Sequence, residues 1–123
     1  MMEVQRFPCD KEGLVGAQSF LELRCDEPKP AIILDEIVSN IVRCSGASAF
    51  SIGFERHEDG GLTMVFRDDG KAFDPTREVA SPDVSAAAEN RDIGGLGIFM
   101  VKKMSKSVDY RREDGFNVLT VTM

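Results

Sequence analysis

Ile33, Leu34, Ile37, Val38, Ile41 and Val42 recur at the i, i+3, i+4 spacing of a single helix face, inside the uninterrupted segment 31–44. A stripe of that width has to be buried against another layer, so the chain must supply one. Glu36, Asn40 and Arg43 fall at i, i+4 and i+7 on a different face of the same helix, so one side packs while the other presents polar groups in a row. Asp26-Glu27-Pro28-Lys29-Pro30 reads as the break before this helix and Ser45-Gly46 as its stop.

The facing layer is read from alternation. Phe50, Ile52 and Phe54, then Leu62, Met64 and Phe66, repeat with period two on either side of the turn-rich run 57–61, which predicts a hairpin. Segments 108–112 and 117–123 flank the turn signal Asp114-Gly115 and predict a second. Segment 4–7 reads as a short strand, and 11–25 as a helix carrying Leu14, Val15, Phe20, Leu21 and Leu23. Helices interspersed with hairpins give an α+β fold, a two-layer α/β sandwich whose mixed, mostly antiparallel sheet is covered on one face by helices. The 123 residues make one domain.

Charge and composition remove several classes of function. With 15 Lys+Arg against 21 Asp+Glu the formal charge is -6, and no local basic patch compensates, which argues against direct nucleic-acid binding. No apolar run approaches the roughly 20 residues of a membrane span, and the start Met1-Met2-Glu3-Val4-Gln5-Arg6 lacks a signal-peptide layout, so a cytoplasmic location and no membrane partner are expected. Cys9, Cys25 and Cys44 form no CxxC or Cys/His cluster and read as reduced thiols. His57, the single histidine, lies in a polar turn, a poor support for a zinc site or a nucleophile-activating triad.

Three elements carry chemistry if the sandwich forms. Glu36 offers a carboxylate able to orient or deprotonate a hydroxyl, and Asn40, one turn on, an amide oxygen that is a hard ligand suited to Mg²⁺. Asp68, where an apolar strand runs into Asp69-Gly70, can accept from an exocyclic amine such as that of adenine. Gly94-Gly95-Leu96-Gly97 opens the helical segment 98–104, and exposed N–H groups at a helix start bind anionic oxygens. Between them, residues 76–91 are polar or small and read as a lid. Each element has an ordinary structural explanation alone, as a solvated helix face, a plain turn and a loop hinge. Their convergence is what points to a ligand. Met100 and Met104, with Ile98, Phe99 and Val101, read as packing, and the run 111–114 as an exposed hairpin tip.

These residues resemble the GHKL (Bergerat-fold) ATPases, the superfamily of DNA gyrase, heat-shock chaperones and histidine kinases. Glu36-Ile37-Val38-Ser39-Asn40 looks like the N box, Asp68-Asp69-Gly70-Lys71-Ala72-Phe73 like the G1 box and Gly94-Gly95-Leu96-Gly97 like the G2 box, in matching order and spacing. The phrase from Gly94 to Val101, followed by a tyrosine-containing hairpin and Asn117-Val118-Leu119-Thr120, is most similar to the anti-sigma-factor serine kinases. The resemblance covers about 31–123, and 1–30 fit it loosely. It implies a single ATP-binding domain with a lid at about 76–93, using ATP/ADP and Mg²⁺. Glu36 would be the general base and Asn40 the metal ligand; Asp68 would read the adenine amine. Gly70 would let the base approach, with Ala72 and Phe73 beside it, and Gly94, Gly95, Leu96 and Gly97 would line the triphosphate. Arg91 or Lys71 would add positive charge near the γ-phosphate.

The implied function is an anti-sigma regulator with serine/threonine kinase activity toward an anti-anti-sigma (STAS) protein, holding a sigma factor inactive and forming a homodimer. Ala72 stands where the G1 pattern more often has a second glycine, and Arg43 where these regulators often have a histidine. Two other readings follow: a nucleotide-responsive module that sequesters a partner without turnover, or a histidine-kinase-like ATPase domain. The second is disfavoured because the sequence offers no pair of dimerisation helices and no phosphoacceptor histidine.

Overall fold

A computed structural model describes residues 2–74 and 95–123, and for Gly95, Leu96 and Gly97 the helical backbone alone. The lid at 76–93, Arg91 and Gly94 lie outside the described residues. The element order is β1 (Glu3–Pro8), α1 (Lys11–Glu22), α2 (Pro28–Cys44), β2 (Ala49–Arg56), β3 (Leu62–Asp68), α3 (Gly95–Met104), β4 (Ser107–Glu113) and β5 (Phe116–Thr122). The five strands form one sheet in the order β1-β2-β3-β5-β4. All four pairings are antiparallel, so the mixed character expected of the sheet is absent among the described residues.

Register explains the core. Phe50, Ile52 and Phe54 on β2 pair with Asp68, Phe66 and Met64 on β3, and these in turn with Asn117, Leu119 and Val121 on β5. Period two therefore turns all nine side chains to the same face, and all nine are buried. The helical layer answers with Ile33, Leu34, Ile37, Val38 and Ile41 of α2 and Ile98 and Val101 of α3. Burying a side chain such as Phe50 or Phe66 contributes about 1.5–3 kcal/mol, so the facing stripes dominate the stability of the sandwich.

The helices differ from the sequence reading in instructive ways. α2 begins at Pro28 rather than at Ala31: proline is tolerated in the first turn, where N–H groups have no intrahelical partner anyway, so the two prolines start the helix instead of blocking it. α1 ends at Glu22, and Val15 and Leu23 are exposed; its core face is Gly13, Ala17, Phe20 and Leu21. A Cβ at Gly13 would run into the Pro8 carbonyl, so the small residue permits the close approach of α1 to the end of β1. Met100 is exposed rather than packed, while Met104 packs against the core. Asp114 and Gly115 both take positive φ, +52° and +82°, as a two-residue primed turn between β4 and β5 requires.

Candidate functional site

Where α2 crosses the inner face of the sheet, its C-terminal half leaves a cleft over β3 and β5. Ile37, Ile41, Phe66, Ile98 and Leu119 make its apolar lining, and Asn40, Asp68, Tyr110 and Asn117 supply polar groups. Cys44, Ser45 and Phe73 complete the wall. The cleft opens to solvent, and the space within it that a water-sized sphere can occupy is about 50 Å³. Apolar walls with a few convergent polar groups are the usual character of a small-molecule site.

Asp68 continues the inward row of β3 by one residue and is buried, an unfavourable position for a carboxylate without partners. Its Oδ1 accepts from the Gly70 amide at 2.9 Å and from Asn117 Nδ2 at 3.0 Å. Burial first, then the Asp68 charge, pushes the Cys9 thiol above its usual range, and Cys9 Sγ donates to the Ile41 carbonyl at 3.7 Å. Asp69, the next residue, faces away and serves the fold: it accepts from Ser48 Oγ at 2.5 Å and from the Ser48 amide at 2.9 Å, tying the loop after β3 to the start of β2.

Gly70 is buried against the end of α2. A Cβ there would lie against the Ser45 carbonyl, 2.7 Å from Ser45 Cβ and 2.9 Å from Asp68 Oδ1. Ser45 Oγ donates to the Ile41 carbonyl at 2.8 Å, and the Lys71 amide donates to the Ser45 carbonyl at 3.0 Å. The glycine thus permits contact between two protein segments, a need separate from any approach of a ligand. Ala72 and the Lys71 side chain are exposed, and the backbone amide of Phe73 donates to Asn117 Oδ1 at 3.3 Å.

On α2, Asn40 faces the cleft, and its Nδ2 donates to Glu36 Oε2 at 3.4 Å. Arg43 Nη2 donates to Asn40 Oδ1 at 3.4 Å, touching the oxygen singled out as a metal ligand. Both contacts are long and easily exchanged. Asn40, Asp68 and Phe73 thus share one cleft, Glu36 joins it through Asn40, and Gly70 lies behind Asp68. His57 sits outside that cleft, in the β2–β3 loop, sharing a 2.8 Å hydrogen bond with Thr63 Oγ1. No group of three or more His, Cys, Asp or Glu fit to hold a metal occurs among the described residues.

Ser45, Tyr110, Arg112 and Asn117 were not among the site residues expected from the sequence. Arg112, exposed near the hairpin tip as expected, also sends Nη1 to the Gly70 carbonyl at 2.8 Å and to Asn117 Oδ1 at 3.2 Å. A signal for Asn117 existed: it holds the inward position of a strand whose next inward residues are Leu119 and Val121, where an amide needs a specific reason.

A model of the histidine kinase-like ATPase domain matches residues 23–123. The chain belongs to the histidine kinase-like ATPase domain family. An ATPase domain holds a nucleotide. Among curated relatives, the chain is 30% identical over 95 residues to the serine/threonine-protein kinase BtrW of Bordetella bronchiseptica, covering 72% of this chain and 63% of that protein. The chain therefore spans less than two thirds of the length of that relative. Among solved structures, a chain of the SiaB–SiaC complex from Pseudomonas aeruginosa superposes with a TM-score of 0.58 over 98% of this chain and 88% of that one, at 17% identity. That likeness supports the α+β fold of this ATPase domain. No helix among the described residues is long and apolar enough to cross a membrane.

Proposed function

We propose that this domain binds Mg-ATP in the cleft and passes the γ-phosphoryl group to a serine or threonine of an anti-anti-sigma (STAS) protein, acting in the cytoplasm as a homodimeric anti-sigma regulator. The observation that carries the reading is Asp68, a carboxylate buried at the end of an apolar cleft with Oδ1 taken by protein donors, in a chain similar to a serine/threonine-protein kinase. The base enters between Ile41, Phe66 and Leu119, and its amine donates to Asp68 Oδ2. Glu36 takes the proton of the acceptor hydroxyl as its oxygen bonds to the γ-phosphorus and the bond to the ADP oxygen breaks. Phosphoryl transfer depends mainly on positioning and charge neutralisation, so this short set of groups is chemically sufficient.

Asn40 Oδ1, a hard oxygen donor, would hold Mg²⁺ together with phosphate oxygens and water, while Glu36, which accepts from Asn40 Nδ2, stays the base. When bound, the ion neutralises phosphate charge. Gly95 and Gly97, at the start of α3, belong to the phosphate end of the same reading.

Contact of Arg43 with Asn40 Oδ1 favours a second reading, a nucleotide-responsive module that sequesters its partner without turnover. One experiment separates the two. Purified protein is incubated with ATP, Mg²⁺ and each STAS-domain protein of the same genome in turn, and phosphate on the partner is followed by mass spectrometry. Glu36→Gln is expected to slow transfer by about 10²–10⁴-fold while ATP affinity stays within about threefold. Native protein that captures a STAS partner in an ATP-dependent way without phosphorylating it would favour the sequestering module.

A further inference from the structure

Asn117 on β5 pairs with Asp68 on β3 and is buried. Three donors converge on one end of its amide: Tyr110 Oη at 2.6 Å, Arg112 Nη1 at 3.2 Å and the Phe73 amide at 3.3 Å. An atom that meets three donors is the oxygen, so the orientation of the amide is fixed by its neighbours. Nδ2 must then face the other way, where it donates to Asp68 Oδ1 at 3.0 Å and to the Lys71 carbonyl at 2.8 Å. An amide nitrogen carries two hydrogens, and both are committed to protein acceptors.

The consequence reaches the ligand side. Asp68 Oδ1 already serves Asn117 and the Gly70 amide, which leaves Oδ2 as the carboxylate oxygen without a partner among the described residues. Asn117 cannot turn a hydrogen toward the cleft without setting its oxygen against Asp68 and taking from Tyr110 Oη and the Phe73 amide the acceptor they share. We infer that Asn117, oriented by Tyr110 and Arg112, is a positioning residue that keeps the base-reading end of the cleft acceptor-only, so that it selects purines bearing an amine and rejects those presenting a carbonyl there. The inference rests on the ATP reading above. A carbonyl-bearing base such as hypoxanthine would set oxygen against oxygen with no donor able to answer it, and mismatches of this kind discriminate strongly.

Asn117→Asp gives a readout that loss of packing alone does not. It sets a second carboxylate against Asp68, and two carboxylates at that distance share a proton with one pKa strongly raised. At low pH the shared proton imitates the amide hydrogen; at high pH the pair repels and the site loosens. By calorimetric titration, the ratio of variant to native ATP dissociation constants is expected to climb from within about threefold near pH 5.5 to beyond about tenfold near pH 8.5. Taking the ratio cancels ionisation of the nucleotide itself. The Tyr110→Phe, Arg112→Met double variant covers the case in which Asn117→Asp does not fold. Removing two of the three donors leaves the amide oxygen held by the long Phe73 contact alone and loosens Asn117, so the preference for ATP over ITP is expected to fall by at least about threefold. A ratio flat across pH, or an unchanged ATP-to-ITP preference in the double variant, would overturn the positioning role while leaving the ATP site standing. No ATP binding by the native protein would remove the nucleotide reading and this inference with it.

Discussion

The backbone amide of Lys71 donates to the carbonyl of Ser45 across 3.0 Å, which joins the residue capping α2 directly to the loop leaving β3. Glu36 and Asn40 lie on that helix and Asp68 at the end of that strand. The bond therefore holds two parts of the candidate site, 28 residues or more apart in sequence, in one rigid corner.

Gly70→Ala tests that corner. The new Cβ would press on the Ser45 carbonyl and on Asp68 Oδ1, backbone and buried carboxylate that have little room to move. Overpacking of this kind costs about 1–3 kcal/mol, so the urea midpoint is expected to drop and ATP affinity with it. An alanine variant as stable as the native protein would mean that the loop relaxes freely and the corner is not rigid.

Asp68→Asn changes the chemistry of the same end without changing its size. The Gly70 amide and Asn117 Nδ2 both need an acceptor, so the new side chain must give them its oxygen and turn its NH₂ into the cleft. Donor then meets donor at the adenine amine. Loss of a hydrogen bond to a charged group is worth about 1.5–3 kcal/mol, which predicts ATP binding weaker by about 10- to 100-fold. ITP, with a carbonyl at that position, is expected to gain relative to ATP. Equal losses for both nucleotides would show that Asp68 does not face the base edge.

Much of this arrangement was legible in the chain. Period-two apolar residues on β2, β3 and β5 and the 33–42 stripe are strong signals because burial enforces them at every position. β1 shows why weaker segments are harder: at the sheet edge only Phe7 is buried, so alternation has little to act on. In α1 the core face includes Gly13 and Ala17, and a hydrophobicity pattern cannot see glycine and alanine chosen for close approach. Asn40 and Asp68, which line one cleft, stood out as candidates because their residue types suit the chemistry at their spacing. Tyr110, Arg112 and Asn117 did not stand out, because the partners of Arg112 and Asn117, which are Asp68, Gly70, Lys71 and Phe73, lie more than 40 residues away, and Tyr110 meets Asn117 only through the pairing of β4 with β5.

Asp69 gives the fold a dependence on acid. The Ser48 hydroxyl, followed by the Ala49 and Ser48 amides, holds its carboxyl below the ordinary value of 3.8. A group whose pKa is lower folded than unfolded binds fewer protons in the native state, so its contribution is complete above the unfolded pKa and is lost as pH falls through the folded one. Asp69 is exposed and screened, so the effect is modest, and its pH window rather than its size identifies it. Urea midpoints of native protein and Asp69→Asn are expected to differ near pH 6 and to converge as the pH drops below about 3.8. Asp59, also held low, by the Gly61 amide, is present in both proteins and cancels from the comparison. A gap that stays constant down to the lowest pH would place the stabilisation in the neutral hydrogen-bonding shape of the side chain and not in its charge.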